Sequence, residues 1–281
     1  MKYSSATFAL VTSSAALAGV VLVATPGCTE TTIVQAAPTA AADASDPDAG
    51  NEDAAPVERP TTRVAGKSAA LFGSKAASYA DVDDETGVVV RVGYTVPVKA
   101  FADAPANAPF RDDLVLEMPK AAQDQTILHH VRVNWLTAGH GPDPYGEPHF
   151  DMHFQRGTLA EVDAIDCKAD MRMPPPSALP AGYGAPELCV NAMGMHSWPK
   201  ADKGTAWTGS IIMGFWATKV SFIEPMISKA KLLAKETFEL TIGKPASAGG
   251  AHTLYPRRMT AKYDAAAATY AFELDQLEPI D

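Results

Sequence analysis

The sequence carries little positive charge. Its 23 lysine and arginine residues stand against 33 aspartate and glutamate residues, for a net charge of −10. A surface of that sign repels phosphate backbones, which argues against nucleic-acid binding. Only three cysteines occur, an odd number that pairing alone does not explain. Hydrophobic residues make up 47% of the 281 residues, so the chain has enough apolar side chains for a packed core.

The sequence also lacks the short motifs of common catalytic sites. It contains no Gly-x-Ser-x-Gly, no His-Glu-x-x-His, no phosphate-binding loop and no Cys-x-x-Cys. It has no internal repeat and no alternation of strands with long helices. The sequence therefore specifies no reaction, and it leaves open whether the protein is an enzyme.

The N-terminal residues 1–27 are apolar and Ala-rich, with Lys2 as their only charged residue. This composition favours a secretory signal peptide over a permanent membrane anchor. The stretch ends at a Gly-Cys pair that is similar to a bacterial lipoprotein cleavage box, so Cys28 is the predicted lipidation site. An alternative cleavage site follows Ala36. We expect an extracytoplasmic protein, either a cell-envelope lipoprotein held to the membrane by a lipid on Cys28 or a secreted protein.

The segment 28–65 is predicted to be a disordered tether rich in Ala, Pro and Asp. Between residues 35 and 60 it has no aromatic residue and one large aliphatic residue, so it buries too little apolar surface to offset its chain entropy. Residues 29–60 hold seven acidic residues against Arg59, so much of the negative charge belongs to this segment. Residues 66–281 are predicted to form a single β-rich domain.

The cysteine count becomes even once Cys28 is assigned to a lipid. Cys167 and Cys189 remain, and in an oxidising compartment they would close a loop of roughly 20 residues and stabilise the fold by about 3 kcal/mol. That loop is rich in Pro and Gly and has little regular structure of its own. We predict a disulfide, with two buried free thiols as the alternative.

Short apolar and β-branched runs dominate the chain after residue 67. Val88–Tyr94 and Ala206–Phe215 are predicted buried strands. The spacing of Thr158 and Glu161 predicts a capping box and a short helix, and a further helix is predicted from Pro225 to about residue 235. Nine or ten strands with hairpin-like spacing and two or three short helices predict a mainly β fold, an antiparallel barrel or sandwich.

Six of the seven histidines lie between residues 129 and 196. In the run 149–154 apolar and polar residues alternate, so on a strand His149, Asp151 and His153 share one face and three apolar residues form the other. Two imidazoles two residues apart on a strand can bind one metal ion.

His196 and Glu224 are the candidates that would complete this set. His196 follows the Pro-rich loop and Glu224 ends an apolar strand. With His149 and His153 they form a predicted ligand set for a divalent Zn, Fe, Mn or Cu ion. Asp151 is either a further ligand or a residue that orients the histidines by hydrogen bonding, and His140 is predicted to be an orienting residue as well.

Each of these residues also has an ordinary structural interpretation. The polar face of residues 149–153 is typical of a solvated antiparallel strand. His196 could hydrogen-bond a loop, and Glu224 could serve the dipole of the predicted helix that follows it. His129, His130 and His140 are more typical of structural residues than of ligands.

Five short motifs in this order resemble a family of secreted bacterial proteins of uncharacterised function. They are Trp135 with Gly139–Pro142, Pro148–Phe154, Ala192–Trp198, Glu224–Met226 and Tyr255-Pro256. The resemblance covers roughly residues 75–277. Ala192 replaces a usual Gly and Ser197 intervenes before Trp198, but neither residue is a proposed ligand. The resemblance implies a mostly β extracytoplasmic domain and homo-oligomerisation, and it implies no reaction.

Three functions follow from these observations. The first is a tethered extracytoplasmic β domain with a His/carboxylate site for a divalent metal or a small polar ligand. The second is a structural or oligomeric envelope protein without a metal. The third is a metal-dependent hydrolase or oxygenase, in which Asp151 or Glu224 acts as general base.

Overall fold

The structure is a computed structural model that describes residues 59–202, 207–250 and 252–281. The predicted signal peptide (1–27), the lipidation site Cys28 and most of the predicted tether (28–65) lie outside the described residues. Within the described ranges, no helix is long and apolar enough to cross a membrane.

The described residues form fifteen β-strands and four short α-helices. In chain order these are β1 (Thr61–Leu71), β2 (Ser74–Asp83), β3 (Val89–Pro97), α1 (Val98–Ala102), β4 (Asp112–Glu117), α2 (Lys120–Gln125), β5 (His130–Leu136), β6 (His149–Gln155), α3 (Leu159–Asp163), β7 (Leu188–Val190), β8 (Gly194–Ser197), β9 (Gly209–Trp216), β10 (Lys219–Ser228), α4 (Lys229–Leu233), β11 (Phe238–Thr241), β12 (Thr253–Tyr255), β13 (Arg258–Asp264), β14 (Thr269–Asp275) and β15 (Glu278–Ile280). Two single 3₁₀ turns, Pro176–Ala178 and Lys200–Asp202, complete the described elements.

The strands form two large sheets and one small one. The six-stranded sheet has the order β1-β2-β3-β14-β13-β11, the seven-stranded sheet has the order β4-β5-β6-β10-β9-β8-β7, and β12 pairs with β15. All of the strand pairs in these sheets are antiparallel. The mainly β, antiparallel prediction is confirmed, with four short helices in place of the two or three expected.

The main hydrophobic core lies between the two large sheets. Tyr94 on β3 contacts Phe154 on β6, with ring centroids 6.1 Å apart. Phe101 on α1 touches both sheets, since its ring centroid lies 4.9 Å from that of Phe150 and 5.9 Å from that of Phe272. Aromatic side chains of this size dominate the apolar area that a core buries, so these contacts hold the two sheets face to face.

Two predicted element boundaries differ from the structure. Strand β1 begins at Thr61, within the segment 28–65 that composition assigned to the tether. Most of its residues are exposed on both faces, so it carries no apolar alternation that a sequence pattern could reveal, and pairing with β2 forms it instead.

The helix predicted from Pro225 is also wrong at its start. Pro225 lies inside β10, opposite Ile211 of β9, and α4 begins only at Lys229, where the side chain of Ser228 accepts a hydrogen bond from the Lys231 amide. Proline has no N–H to donate, and the pairing of β10 with β6 is interrupted at this residue. The missing N–H of Pro225 therefore coincides with a gap in the ladder between β10 and β6.

Two local predictions are confirmed. Thr158 and Glu161 form the reciprocal capping box at the start of α3. Cys167 and Cys189 form a disulfide with their Cα atoms 5.9 Å apart. Cys189 belongs to β7, which is one of the two edge strands of the seven-stranded sheet, so the disulfide ties that edge to the segment after α3.

We expect the double substitution Cys167→Ser and Cys189→Ser to lower the free energy of unfolding by about 3 kcal/mol, because the disulfide closes a loop with a sequence separation of 22 and limits the unfolded chain. Urea denaturation of the purified protein measures this value. A reducing agent should produce a similar loss in the wild type and none in the double variant. Equal stability of the oxidised wild type and the variant would contradict the prediction.

Candidate metal centre

Strand β6 places its polar residues on one face of the seven-stranded sheet. It lies between β5 and β10, and all of its residues are buried. Its apolar residues Phe150, Met152 and Phe154 belong to the main core. The exposed fractions of His149, Asp151 and His153 on the opposite face are 0%, 3% and 1%. The alternative of an ordinary solvated strand face is therefore wrong.

A second apolar layer covers the polar face of β6. Its buried members are Tyr145, Met193, Trp207, Ile212, Phe222 and Met226. The Trp207 ring packs edge-on against the His149 ring, with centroids 5.1 Å apart. The polar side chains of β6 thus lie between two apolar layers, where an unpaired charge or hydrogen-bonding atom costs free energy.

Three candidate ligands from three different strands meet in what we call the Glu224 group. It consists of His153 on β6, His196 on β8 and Glu224 on β10. The ladder between β10 and β6 has a gap at residues 224 and 225, and the register on both sides of this gap places Glu224 opposite His153. His153 Nε2 lies 3.3 Å from Glu224 Oε1, and His196 Nε2 lies 3.9 Å from Glu224 Oε2. One donor atom of each residue lies within 4.8 Å of the other two.

Gly214 on the intervening strand β9 makes room for an aromatic ring that packs against both histidines of the Glu224 group. Gly214 pairs with His196 of β8 on one side and with Phe222 of β10 on the other. A Cβ atom at residue 214 would lie 2.0 Å from the Phe222 ring, so that ring occupies the space of the missing side chain. The same ring packs edge-on against His153 and His196, with centroid distances of 5.0 and 4.9 Å.

A second cluster, the Asp151 group, lies beside the first. It consists of His140 from the loop 137–148 together with His149 and Asp151 of β6. Asp151 uses both of its oxygens: Oδ1 lies 3.0 Å from His149 Nε2, and Oδ2 lies 3.5 Å from His140 Nε2. One donor atom of each residue again lies within 4.8 Å of the other two.

Backbone carbonyls fix the tautomer of three of these histidines. The Nδ1 atoms of His140, His149 and His196 lie 2.7, 2.6 and 3.1 Å from the carbonyl oxygens of Gly141, Glu147 and Gly194. A carbonyl oxygen only accepts hydrogen bonds, so each Nδ1 donates its hydrogen. In the neutral ring, Nε2 then carries a free lone pair that points at Asp151 or Glu224, as in histidines that bind metal ions.

Several polar atoms of the two groups lack a hydrogen bond. Among the described residues, none forms a hydrogen bond with the buried atoms Nε2 of His149, Oδ1 of Asp151, Nδ1 and Nε2 of His153, or Oε2 of Glu224. Buried polar atoms are paired in the great majority of cases. These atoms are concentrated in the two groups of residues that could hold a metal ion.

Burial shifts the pKa values in the Glu224 group toward the neutral forms. Desolvation lowers the pKa of His153 to about 3 and that of His196 to about 4. Desolvation raises the pKa of Glu224 well above its ordinary value, and the neighbouring charge of Asp151 adds to this. A proton on Glu224 and two neutral imidazoles are thus the preferred state when no cation is bound.

The Asp151 group has the opposite tendency. Burial by itself would raise the pKa of Asp151, but its contacts with His140 and His149 outweigh burial and lower it. The same contact raises the pKa of His140 despite the desolvation of that ring. The carboxylate of Asp151 therefore stays ionised at neutral pH, and its charge favours a cation beside it.

Both groups border one cavity of about 370 Å³. Its polar walls are His140, Asp151, His153, His196 and Glu224, and its other walls are Phe110, Leu136, Gly141, Leu188, Val190 and Met193. Phe110 and Leu188 lie at the rim, with 56% and 48% of their surface exposed. This volume is within the range of small-molecule pockets.

The structure thus brings together three of the four predicted ligands. His153, His196 and Glu224 converge, whereas His149 contacts Asp151 and His140. Asp151 is predicted as either a ligand or an orienting residue and His140 as an orienting residue, and the structure places donor atoms of both within a group that could hold a metal ion.

Two other histidines lie outside both groups and contact other residues. His130 is held by the Gly157 carbonyl and by Arg132, and exposed His252 contacts Asp281. Sequence reasoning missed Gly214 and Phe222, which shape the Glu224 group. A glycine inside the most apolar strand was the available signal, since such a glycine marks a close approach of another group.

Comparison with known proteins gives one finding. A family model described as TTHB210-like, hypothetical protein TTHB210, matches residues 84–135. This segment runs from before β3 to Trp135 in β5 and ends before β6, so it contains none of the six residues of the two groups. No curated protein and no solved structure matches the chain. The likeness is therefore to an uncharacterised family over this segment, and it carries no activity.

We expect Gly214→Ala to disrupt the Glu224 group, because the added Cβ atom would clash with the Phe222 ring at 2.0 Å and push it against His153 and His196. Overpacking of this kind lowers the free energy of unfolding by about 1–3 kcal/mol. Thermal denaturation measures the loss. Gly146→Ala is the matched control, since no described atom lies within 4 Å of a Cβ there. Equal melting temperatures for the two variants would contradict the prediction.

We expect His196→Gln to flatten the pH dependence of stability in protein stripped of metal. Below pH 6.5 the unfolded chain protonates His196, whereas the folded protein does so only near pH 4. The free energy of unfolding of the wild type therefore decreases as pH falls from 6.5 to about 4. In the variant this decrease should be smaller, by up to about 1.4 kcal/mol per pH unit. Urea denaturation in a chelating buffer measures both slopes. His252→Gln, at an exposed position, should retain the wild-type slope; identical slopes for His196→Gln and the wild type would refute this assignment.

Proposed function

We propose that this protein is an extracytoplasmic metal-binding β domain that holds a divalent transition-metal ion through His153, His196 and Glu224. The observation that carries the proposal is the convergence of buried, unpaired donor atoms. His153 Nε2 and Glu224 Oε2 have no hydrogen-bond partner among the described residues, and each faces a donor atom of another residue in the group.

The distances in the Glu224 group suit a metal ion. Ligand atoms bound at about 2.0–2.2 Å in a tetrahedral arrangement lie about 3.3–3.6 Å from one another. The contact between His153 Nε2 and Glu224 Oε1 measures 3.3 Å, within this range, and one donor atom of each of the three residues lies within 4.8 Å of the other two. Two imidazoles and one carboxylate are donors that Zn, Fe, Mn and Cu ions accept.

The metal-free structural alternative explains these contacts less well. Histidines that merely stiffen a loop satisfy both ring nitrogens or expose one to water, as His130 does with Gly157 and Arg132. His153 instead has two buried ring nitrogens without a hydrogen bond in the described part of the chain. A bound cation would provide the interaction that at least one of these nitrogens lacks.

The cavity beside the ligands favours a metal-dependent enzyme as a second candidate. Three protein ligands leave a coordination position for water or substrate, which is typical of catalytic rather than structural zinc sites. Both His196 and Glu224 border the cavity. Asp151, ionised and on the same wall, would then be the general base of a hydrolase. Metal-dependent turnover of ester or phosphoester test substrates, abolished by Asp151→Asn, would support this candidate.

The extracytoplasmic address is a separate part of the proposal. The disulfide between Cys167 and Cys189 supports it, because such bonds persist mainly in oxidising compartments. Attachment through a lipid on Cys28 is tested by mass spectrometry of the mature N-terminus. An unmodified terminus at Ala37 would contradict lipidation and leave secretion in place.

We expect Glu224→Gln to weaken Zn²⁺ binding by more than about 100-fold, because even the loss of a residue that only orients a ligand lowers metal affinity by about 10- to 100-fold. Isothermal titration of chelator-stripped protein with Zn²⁺ measures the affinity, and Co²⁺ reports the coordination geometry through its visible absorption. Wild-type protein should gain about 2.7 kcal/mol of stability at a free Zn²⁺ concentration of 100 times Kd.

The matched control for this titration is His252→Gln, which changes an exposed histidine that also contacts a carboxylate. It should bind Zn²⁺ like the wild type. The proposal fails if the wild type binds no Zn²⁺, or if Glu224→Gln and His153→Ala both bind it with unchanged affinity.

A further inference from the structure

We infer that the Asp151 group is a second metal site, so that the domain binds two divalent ions next to each other beneath one cavity. This inference goes beyond the proposed function. His140, His149 and Asp151 share no residue with the Glu224 group, so either group can bind an ion without the other.

The contact between His149 and Asp151 points to a cation. His149 Nε2 and Asp151 Oδ1 are 3.0 Å apart, yet both atoms are buried and have no hydrogen-bond partner in the described chain. A separation of 3.0 Å is ordinary for a hydrogen bond, but a hydrogen bond also needs a hydrogen between the two atoms, and the hydrogen of the neutral His149 ring is on Nδ1. The missing hydrogen bond, and not the distance, therefore points to a ligand that binds both atoms.

The tautomers in this group support the same conclusion. Nδ1 of His149 donates to the Glu147 carbonyl at 2.6 Å, and Nδ1 of His140 donates to the Gly141 carbonyl at 2.7 Å. Each neutral ring then directs the lone pair of Nε2 toward the carboxylate of Asp151. Two lone pairs facing an ionised carboxylate repel it unless a proton or a metal ion lies between them, and carbonyl-bound Nδ1 atoms are the usual support of metal-binding histidines.

The two groups are joined through β6. Asp151 and His153 are two residues apart on the same face of this strand, which separates their Cα atoms by about 6–7 Å. Both residues, together with His140, His196 and Glu224, border the same cavity. Two ions held by these groups would therefore be accessible from one pocket, and their charge would exceed that of the two carboxylates.

A metal count on the purified full chain tests the inference. After removal of metal by a chelator, equilibrium dialysis against Zn²⁺ and elemental analysis should give two ions per chain for the wild type. The double variant His140→Gln/Asp151→Asn should retain one ion, and Glu224→Gln should retain the other. The control pairs an exposed histidine and carboxylate outside the cavity: His252→Gln/Asp281→Asn should retain two.

Tryptophan fluorescence provides a second readout. Trp207 lies against His149, so Co²⁺ in the Asp151 group should quench its emission. The quenching step should be absent in Trp207→Phe and in His140→Gln/Asp151→Asn, and it should remain in Glu224→Gln. This readout applies to folded protein only, which circular dichroism verifies for each variant.

The outcomes separate the two sites. One ion in the wild type, or two ions in His140→Gln/Asp151→Asn, would overturn the inference. Two ions in Glu224→Gln would contradict the proposed function instead, while loss of one ion in the Asp151 variant would still support the second site. If His140 and Asp151 formed only an ion pair and bound no metal, replacing both residues would leave the number of bound ions unchanged.

Discussion

The burial of the polar face of β6 is the constraint on which the rest of this structure depends. Three titratable side chains of one strand lie under an apolar layer, where each unpaired polar atom costs free energy. Neighbouring residues reduce this cost in two ways. Asp151 contacts His140 and His149 and stays ionised. Glu224 contacts His153 and His196, and its carboxyl group favours the protonated form when no cation is bound. The same strand thus creates two electrostatically different environments side by side.

The scaffold explains why the donor atoms converge. Strand β6 is held by backbone hydrogen bonds to β5 on one side and to β10 on the other, so residues aligned across β6 and β10 keep their spacing. The absence of a side chain at Gly214 makes room for the Phe222 ring, which packs against both His153 and His196. The disulfide at Cys189 holds the edge strand that carries Leu188 and Val190, two walls of the cavity. The pocket is therefore built from rigid elements at its base and a covalently tied strand at its rim.

These features favour metal binding over a purely structural role for the histidines. Structural histidines in this protein, such as His130, have both ring nitrogens hydrogen-bonded. Those of the two groups do not, and three of them have Nδ1 bound to a carbonyl and Nε2 directed at a carboxylate. The likeness to an uncharacterised family ends before these residues, so the argument for function rests on the chemistry of the site itself.

The sequence by itself determined the antiparallel β class, the α3 capping box, the Cys167–Cys189 pair and the common face of His149, Asp151 and His153. These depend on local period, local hydrogen bonds or a simple count. Only the tertiary structure decided that His149 belongs with His140 rather than with Glu224, that Pro225 lies in a strand, and that exposed β1 forms at all. Strand register, the covering layer and the space above Gly214 arise from residues far apart in the chain, and no local pattern encodes them.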